Sequence, residues 1–259
     1  LKRLVNEGLE THPSADTSHV LTLLRSVRAR EAVLVDRAGW TADKLTWVSP
    51  TGEVVTEQER TFILPMGLRV SAEKAGTLDL WVKNVDIALR GRNAKHFLPG
   101  FLLGGAGMIV DLLDEQMSLI VTNEGEANRG KTTSLYAAAS WHAITSATQG
   151  LVGPADTTET ALEGLAVRSH GSVLILDEEG TANTDPAKQQ AMILRMAGGM
   201  GRARGKADGK LRDVVTWSTA LGTSTESGFV QRLEQSTDPK DKVRTGAVSR
   251  VISVNFDNA

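Results

Sequence analysis

Residues 119–133 read LIVTNEGEANRGKTT. An apolar strand, Leu119–Thr122, runs into Gly125-Glu126-Ala127-Asn128-Arg129-Gly130-Lys131-Thr132, a complete GxxxxGK[ST] string that opens a helix over Thr132–Ser146. Strand, glycine-bounded loop and helix start are the context in which that string holds phosphate. Gly125 and Gly130 let the backbone turn its N–H groups toward anionic oxygens, and the helix N-terminus adds its positive dipole end. Asn128, Arg129 and Thr133 belong to the same cradle. Lys131 reaches β- and γ-phosphates, and the Thr132 hydroxyl is a ligand for Mg²⁺. The ligands expected are therefore ATP and Mg²⁺.

Downstream, Val173–Leu176 is an unbroken apolar run, as in a parallel strand buried on both faces. It ends in Asp177-Glu178-Glu179. Asp177 is expected to hold the metal, as a Walker-B aspartate does, and Glu178 to orient the attacking water. Lys131 and Asp177 are 46 residues apart, room for a helix, a strand near Leu151–Val152 and a helix from Asp156 or Thr157 to Val167. That spacing favours an extra strand between the phosphate-loop strand and the acidic strand. A helix opened by Asp185-Pro186 and closed by Gly198-Gly199 follows, then strands at Val214–Leu221 and Val248–Val254. Strands alternating with helices predict a parallel α/β sheet.

Between the acidic strand and the next lies GGMGRARGKADGKLR, residues 198–212, carrying Arg202, Arg204, Lys206, Lys210 and Arg212 against one acid. Projected from a sheet edge, it can grip a phosphate backbone; as a solvated loop, it does nothing. It has no aromatic residue, so base stacking is not indicated. Thr223 or Ser224 in Leu221–Glu226 is placed to sense a γ-phosphate, and a satisfied turn hydroxyl is the competing reading. Arg232, Arg244 and Arg250 are candidates for reaching a neighbour's nucleotide. The five histidines show no ligand spacing, and without cysteine there is no disulfide frame or thiolate metal site.

The rest of the chain reads differently. Residues 1–76 form a β-rich lobe: a helix at Asp16–Arg30, then short runs at Ala32–Val35, Leu45–Val48, Val54–Thr56, Phe62–Leu64 and Leu68–Val70. A helix at Leu78–Leu89, capped by Thr77 and stopped by Gly91, begins a lead-in over 77–116 to the ATPase core, which extends to 259. Phe97–Val110 contains Pro99 and four glycines and ends at Asp111, too short for a membrane span and expected as a core helix; its Gly100-x-x-x-Gly104 carries no weight outside a span. With 29 basic and 31 acidic residues, no overall field draws nucleic acid, so any such contact is local. The chain begins with Leu1, which reads as a piece of a longer protein, and the lack of cysteine fits a cytoplasmic setting.

Taken in order, Arg37-Ala38-Gly39-Trp40, Thr77–Trp81, the phosphate loop, Thr160–Ala166, Leu176-Asp177-Glu178, Gly199–Arg204, Trp217 and Ser224-Thr225-Glu226 resemble the helicase-like family called domain of unknown function 927, found in phages and mobile elements. The resemblance implies an AAA+-like, additional-strand P-loop ATPase that works as a homo-oligomeric ring on single-stranded or forked DNA, beside a primase-type module. It also implies that 198–212 is a DNA-facing hairpin before the sensor strand. Two departures stand out: the usual serine-rich loop is here Glu126–Arg129, and the Ser-Gly-Glu sensor is Ser224-Thr225-Glu226. The reading is thus a Mg²⁺-dependent ATPase of a replication helicase. A small-molecule or nucleotide kinase, a DNA-packaging ATPase and a non-hydrolysing ATP-binding switch stay open as alternatives.

Overall fold

The computed structural model describes residues 32–71, 76–92, 94–113, 117–142, 151–154, 157–177, 186–205, 213–226 and 245–257. The helix expected at 16–30 lies outside them, as do Glu178, Glu179, Lys206, Lys210, Arg212, Arg232 and Arg244.

The centre is a parallel sheet of five strands: β6 (Leu119–Glu124), β7 (Val152–Pro154), β8 (Val173–Asp177), β9 (Ala220–Thr225) and β10 (Val251–Asn255). Their order is β10-β6-β9-β8-β7. The phosphate-loop strand β6 and the acidic strand β8 are therefore separated by one strand, as the spacing predicted. The strand that fills the gap, β9, comes later in the chain than both.

Alternation along each strand divides the core into two layers. Leu174 and Leu176 of β8, with Ile120 and Leu221, face Leu162 and Ala166 of helix α4 (Glu159–Arg168), Ile193 and Met196 of α5 (Pro186–Ala197) and Ala247 of α6 (Thr245–Val248). Val173 and Ile175, with Val121 and Ala220, face Leu103 of α2 (Ala94–Leu112) and Leu135 and Ala138 of α3 (Lys131–Ala139). The result is a sheet covered by helices on both faces, the α/β fold expected.

Helix starts follow the side chains. Thr77 accepts a hydrogen bond from the Leu80 N–H at 3.3 Å and caps α1 (Leu78–Arg90). Thr158, rather than Asp156 or Thr157, caps α4 by accepting from the Ala161 N–H at 3.3 Å. Helix α2 is buried on one side only, with Leu102 and Ile109 exposed on the other. Its glycines form a packing seam, the plain packing role expected of this helix. A Cβ at Gly100 would run into the Ser134 carbonyl, at Gly104 into Trp141 and the Ala138 carbonyl, and at Gly107 into the Ser172 carbonyl. Backbones meet there because no side chain intervenes.

Residues 32–70 form two small sheets. β1 (Ala32–Leu34) pairs in parallel with β5 (Thr61–Ile63), and β2 (Gly39–Trp40), β3 (Thr46–Val48) and β4 (Val54–Thr56) pair antiparallel. The strand expected at Leu68–Val70 is instead a 3-10 turn at Met66–Leu68, after which the Val70 N–H bonds the Pro50 carbonyl at 2.8 Å. Ala38, Val48, Phe62 and Leu64 make a separate small core.

This lobe is joined to the sheet domain by a buried polar junction. The Trp40 N–H donates to Asp111 Oδ2 at 2.7 Å, His170 Nε2 lies 2.7 Å from Asp111 Oδ1, and the Ser218 N–H donates to His170 Nδ1 at 2.9 Å. Burial alone would raise the Asp111 carboxyl. The hydrogen bond and charge of His170, with the Trp40 N–H and the Lys44 ammonium, outweigh it and hold the group below the ordinary carboxylate value. Trp47 Nε1 donates to the Gly171 carbonyl at 3.1 Å. Gly39 and Gly171, both at positive φ, press against each other there.

Candidate functional site

The loop after β6 has the shape its glycines allow. Gly130, at φ 90°, is the left-handed N-cap of α3, and Gly125 stands at φ 140°. Asn128 takes φ 61°, a conformation asparagine tolerates better than most residues. Lys131 is buried, and its Nζ donates to the carbonyls of Gly125 at 2.5 Å and Glu126 at 2.6 Å. An ammonium folded back on its own loop sits where an anion entering the loop would draw it out. The acid at 126 is occupied by Arg129, whose Nη2 lies 2.7 Å from Glu126 Oε2. That ion pair raises the guanidinium further above its already high value.

Three of the expected side chains converge. Thr132 Oγ1 donates to Asp177 Oδ1 at 3.0 Å, and Ser224 Oγ donates to the same oxygen at 2.9 Å. The sheet order brings them together: β9 stands beside both β6 and β8, so the ends of all three strands share one rim. Thr223 points elsewhere, bonding Thr122 Oγ1 at 3.1 Å inside the sheet. Of the two candidate sensors, Ser224 is therefore the one on the rim. It belongs to the strand itself. The strand expected at Val214–Leu221 lies at Ala220–Thr225 instead, because Ala220 pairs with both Leu119 and Val173 and sets the register. Thr133 occupies the first turn of α3.

A hard-oxygen donor pair fits Mg²⁺ better than a softer metal, and the Thr132 hydroxyl and Asp177 carboxylate supply one at bonding distance from each other. Among the described residues, no group of three His, Cys, Asp or Glu side chains gathers to hold a metal by itself.

The basic segment has a defined base. The Gly201 N–H donates to the Val215 carbonyl at 2.9 Å and the Trp217 N–H to the Gly199 carbonyl at 2.9 Å, an antiparallel closure through Met200 and Thr216. Arg202 and Arg204 stand on its first arm, engaged by α4. Arg202 Nη1 lies 2.7 Å from Glu159 Oε2, and Arg204 Nη2 lies 2.6 Å from Glu163 Oε2. The Glu163 side chain is buried, so Arg204 neutralises a charge that would otherwise be costly. Arg250 lies far along the chain, with Nη1 bonding the Gly246 carbonyl at 2.5 Å.

Several partners had no sequence signal of their own. Asn123, inside β6, donates from Nδ2 to the Lys131 carbonyl at 3.1 Å and braces the loop's return. A polar residue in a buried strand next to the loop is a signal available only once the strand is known to be central. Glu159 and Glu163, four residues apart on α4, gain meaning only when the basic segment folds over them.

Among the described residues, no helix is long and apolar enough to cross a membrane. No curated protein matches the chain. Its fold is similar to a solved structure described as "SCCmec type IV Cch - active helicase", with a TM-score of 0.61 at 18% identity, over 93% of this chain and 46% of that one. This chain thus spans less than half the length of that protein. Structures of NtrX from Brucella abortus are more distant. The complex with ATP has a TM-score of 0.38 at 16% identity, over 69% of this chain and 41% of that one. The complex with ADP has 0.33 at 19%, over 75% and 44%. The family described as "Domain of unknown function (DUF927)" matches residues 1–216, and the chain belongs to that family.

Proposed function

We propose that this chain is a Mg²⁺-dependent ATPase and the motor part of a DNA helicase or translocase in the replication protein of a phage or mobile element. The observation that carries the reading is the meeting of Thr132 and Ser224 on Asp177 Oδ1, directly beside a phosphate loop whose lysine is folded into its mouth. In this reading Gly125, Asn128, Arg129, Gly130 and Thr133 form the cradle, and Lys131 exchanges the Gly125 and Glu126 carbonyls for β- and γ-phosphate oxygens. Thr132 and Asp177 hold Mg²⁺, which supplies charge neutralisation to the phosphates when bound. Glu178 takes the proton side of the attacking water, and Ser224 reports the γ-phosphate to β9. Catalysis is then mostly positioning and preorganised charge.

Residues 1–76 serve as a docked lobe and 77–259 as the ATPase core. Arg202, Arg204, Lys206 and Lys210 meet the DNA backbone in a homo-oligomeric, cytoplasmic ring, with a primase-type module elsewhere in the parent protein. The two described arginines keep 57% and 41% of their side chains exposed while paired, which leaves room for phosphate. Turnover of ATP with Mg²⁺, with and without single-stranded DNA, tests this. The Lys131→Ala variant is expected to lose about 100-fold or more in kcat/KM, as removal of a preorganised charge does. Full activity in that variant ends the site assignment, and a wild type indifferent to DNA ends the helicase reading.

A further inference from the structure

The carboxylate of Asp257 stands beside the loop although no motif includes it. Strand β10 runs parallel to β6, with Asn255 opposite Glu124. The Phe256 N–H donates to the Glu124 carbonyl at 2.8 Å and the Asp257 N–H to Asn255 Oδ1 at 2.8 Å, so the chain leaving the strand turns toward the loop in a fixed way. Asp257 Oδ1 then accepts the Glu126 N–H at 2.7 Å. The same oxygen lies 3.9 Å from Arg129 Nε, and a Cβ at Gly125 would come within 2.6 Å of it. One carboxylate thus touches the beginning of the loop, leans on its glycine and faces its arginine.

An acid in this position opposes the ligand proposed for the site, because two like charges near a phosphate repel. Its acceptor oxygen and its charge therefore pull in different directions. We infer that Asp257 is a positioning residue that clasps the phosphate loop through the Glu126 N–H and sets its shape for the triphosphate. The inference rests on the nucleotide reading above. It also ties the loop to the last strand of the sheet, so a displacement of β10 reaches the phosphate cradle through one bond.

The two properties separate by substitution. Asp257→Asn keeps an acceptor for the Glu126 N–H and sheds the charge; Asp257→Ala loses both. With ATP and Mg²⁺ in calorimetry, Asp257→Ala is expected to bind about ten-fold more weakly, the weight of one charge-assisted hydrogen bond. Asp257→Asn is expected to bind about two-fold more tightly than wild type, as a like charge is removed. In turnover, KM for ATP rises in the alanine variant by more than kcat falls, since Lys131 and Asp177 are untouched. Without any nucleotide, exchange of the Glu126 amide by NMR is slow in wild type and Asp257→Asn and about ten-fold faster in Asp257→Ala. Thermal melts confirm that both variants are folded. An alanine variant that binds as well as wild type, or equal amide exchange in all three, overturns the clasp. A wild type that takes up no ATP defeats the nucleotide reading instead, while the amide measurement still decides whether Asp257 holds the loop.

Discussion

At the scale of single residues, His142 shows how burial turns into pH dependence. It sits in the turn after α3 with Nε2 3.1 Å from the Gly104 carbonyl, and Nδ1 finds no partner among the described residues. Burial pushes its imidazole down from 6.5 to about 4, against the smaller opposing effect of the Gly104 carbonyl. The unfolded chain therefore takes up a proton as pH falls through 6.5, while the folded chain refuses it until about 4. Stability is full above that window and falls as pH drops across it, by roughly 3 kcal/mol from this group. Urea unfolding at pH 7 and pH 4.5 should show the loss, and His142→Gln, which retains a donor for the Gly104 carbonyl, should lessen it. An equal loss in the variant would place the acid sensitivity elsewhere. The same scale shows what the sequence reveals and what it hides. Lys131, Thr132 and Asp177 are legible because their chemistry imposes a spacing along the chain. Asp257 is not, because its role comes from the register of β10, more than a hundred residues beyond β6, and Asn123 is not, because its bond to the Lys131 carbonyl follows from the loop's return and matches no motif position.

At the scale of elements, close approach decides more than hydrophobicity. The glycines of α2 let it lie directly on α3 and on the turn before β8. Replacing Gly107 by alanine drives a methyl group into the Ser172 carbonyl, and a loss of about 2–4 kcal/mol is expected. Gly164 lies on α4 with open space around its missing Cβ, so Gly164→Ala is expected to gain about 0.5–1 kcal/mol from helix propensity alone. Chemical denaturation of the two variants against wild type checks both signs. Two glycines within helices should thus respond in opposite directions, and the seam account fails if they respond alike. The sequence pattern does not mark β9 at Ala220–Thr225, for a related reason. Its residues, ALGTST, lack the branched apolar run that marks β8, and at its centre the side chains of Leu103 and Leu135 fill the space over Gly222. A Cβ at Gly222 would already approach Leu103 and Leu135 at 2.8 Å. The apolar Val214 and Val215 that suggest a strand lie in the segment before it, next to the Met200–Thr216 bridge, where both are exposed.

At the scale of the whole molecule, the small sheets of residues 32–70 and the central parallel sheet are not independent. Trp40 and Trp47 reach from the lobe into the core through Asp111 and Gly171, while Trp217 is fully buried beneath the sheet. A single cooperative transition is therefore expected on heating, with tryptophan fluorescence and far-ultraviolet dichroism giving the same midpoint within error. Two separated transitions would show that the lobe unfolds on its own. The sequence could not announce this junction, since its parts, Gly39 with Trp40, Asp111, and His170 with Gly171, come from three distant segments.

The contact of Gly39 with Gly171 has a mechanical corollary. Two backbones touching without side chains between them have nothing to compress, and the imidazole next to them receives the Ser218 N–H, two residues before β9 begins. A shift of β9 of even a fraction of an ångström has no soft material in which to dissipate before it arrives at Trp40. The small β lobe is in effect bolted to the strand that carries Ser224, and it should travel with that strand as a rigid lever.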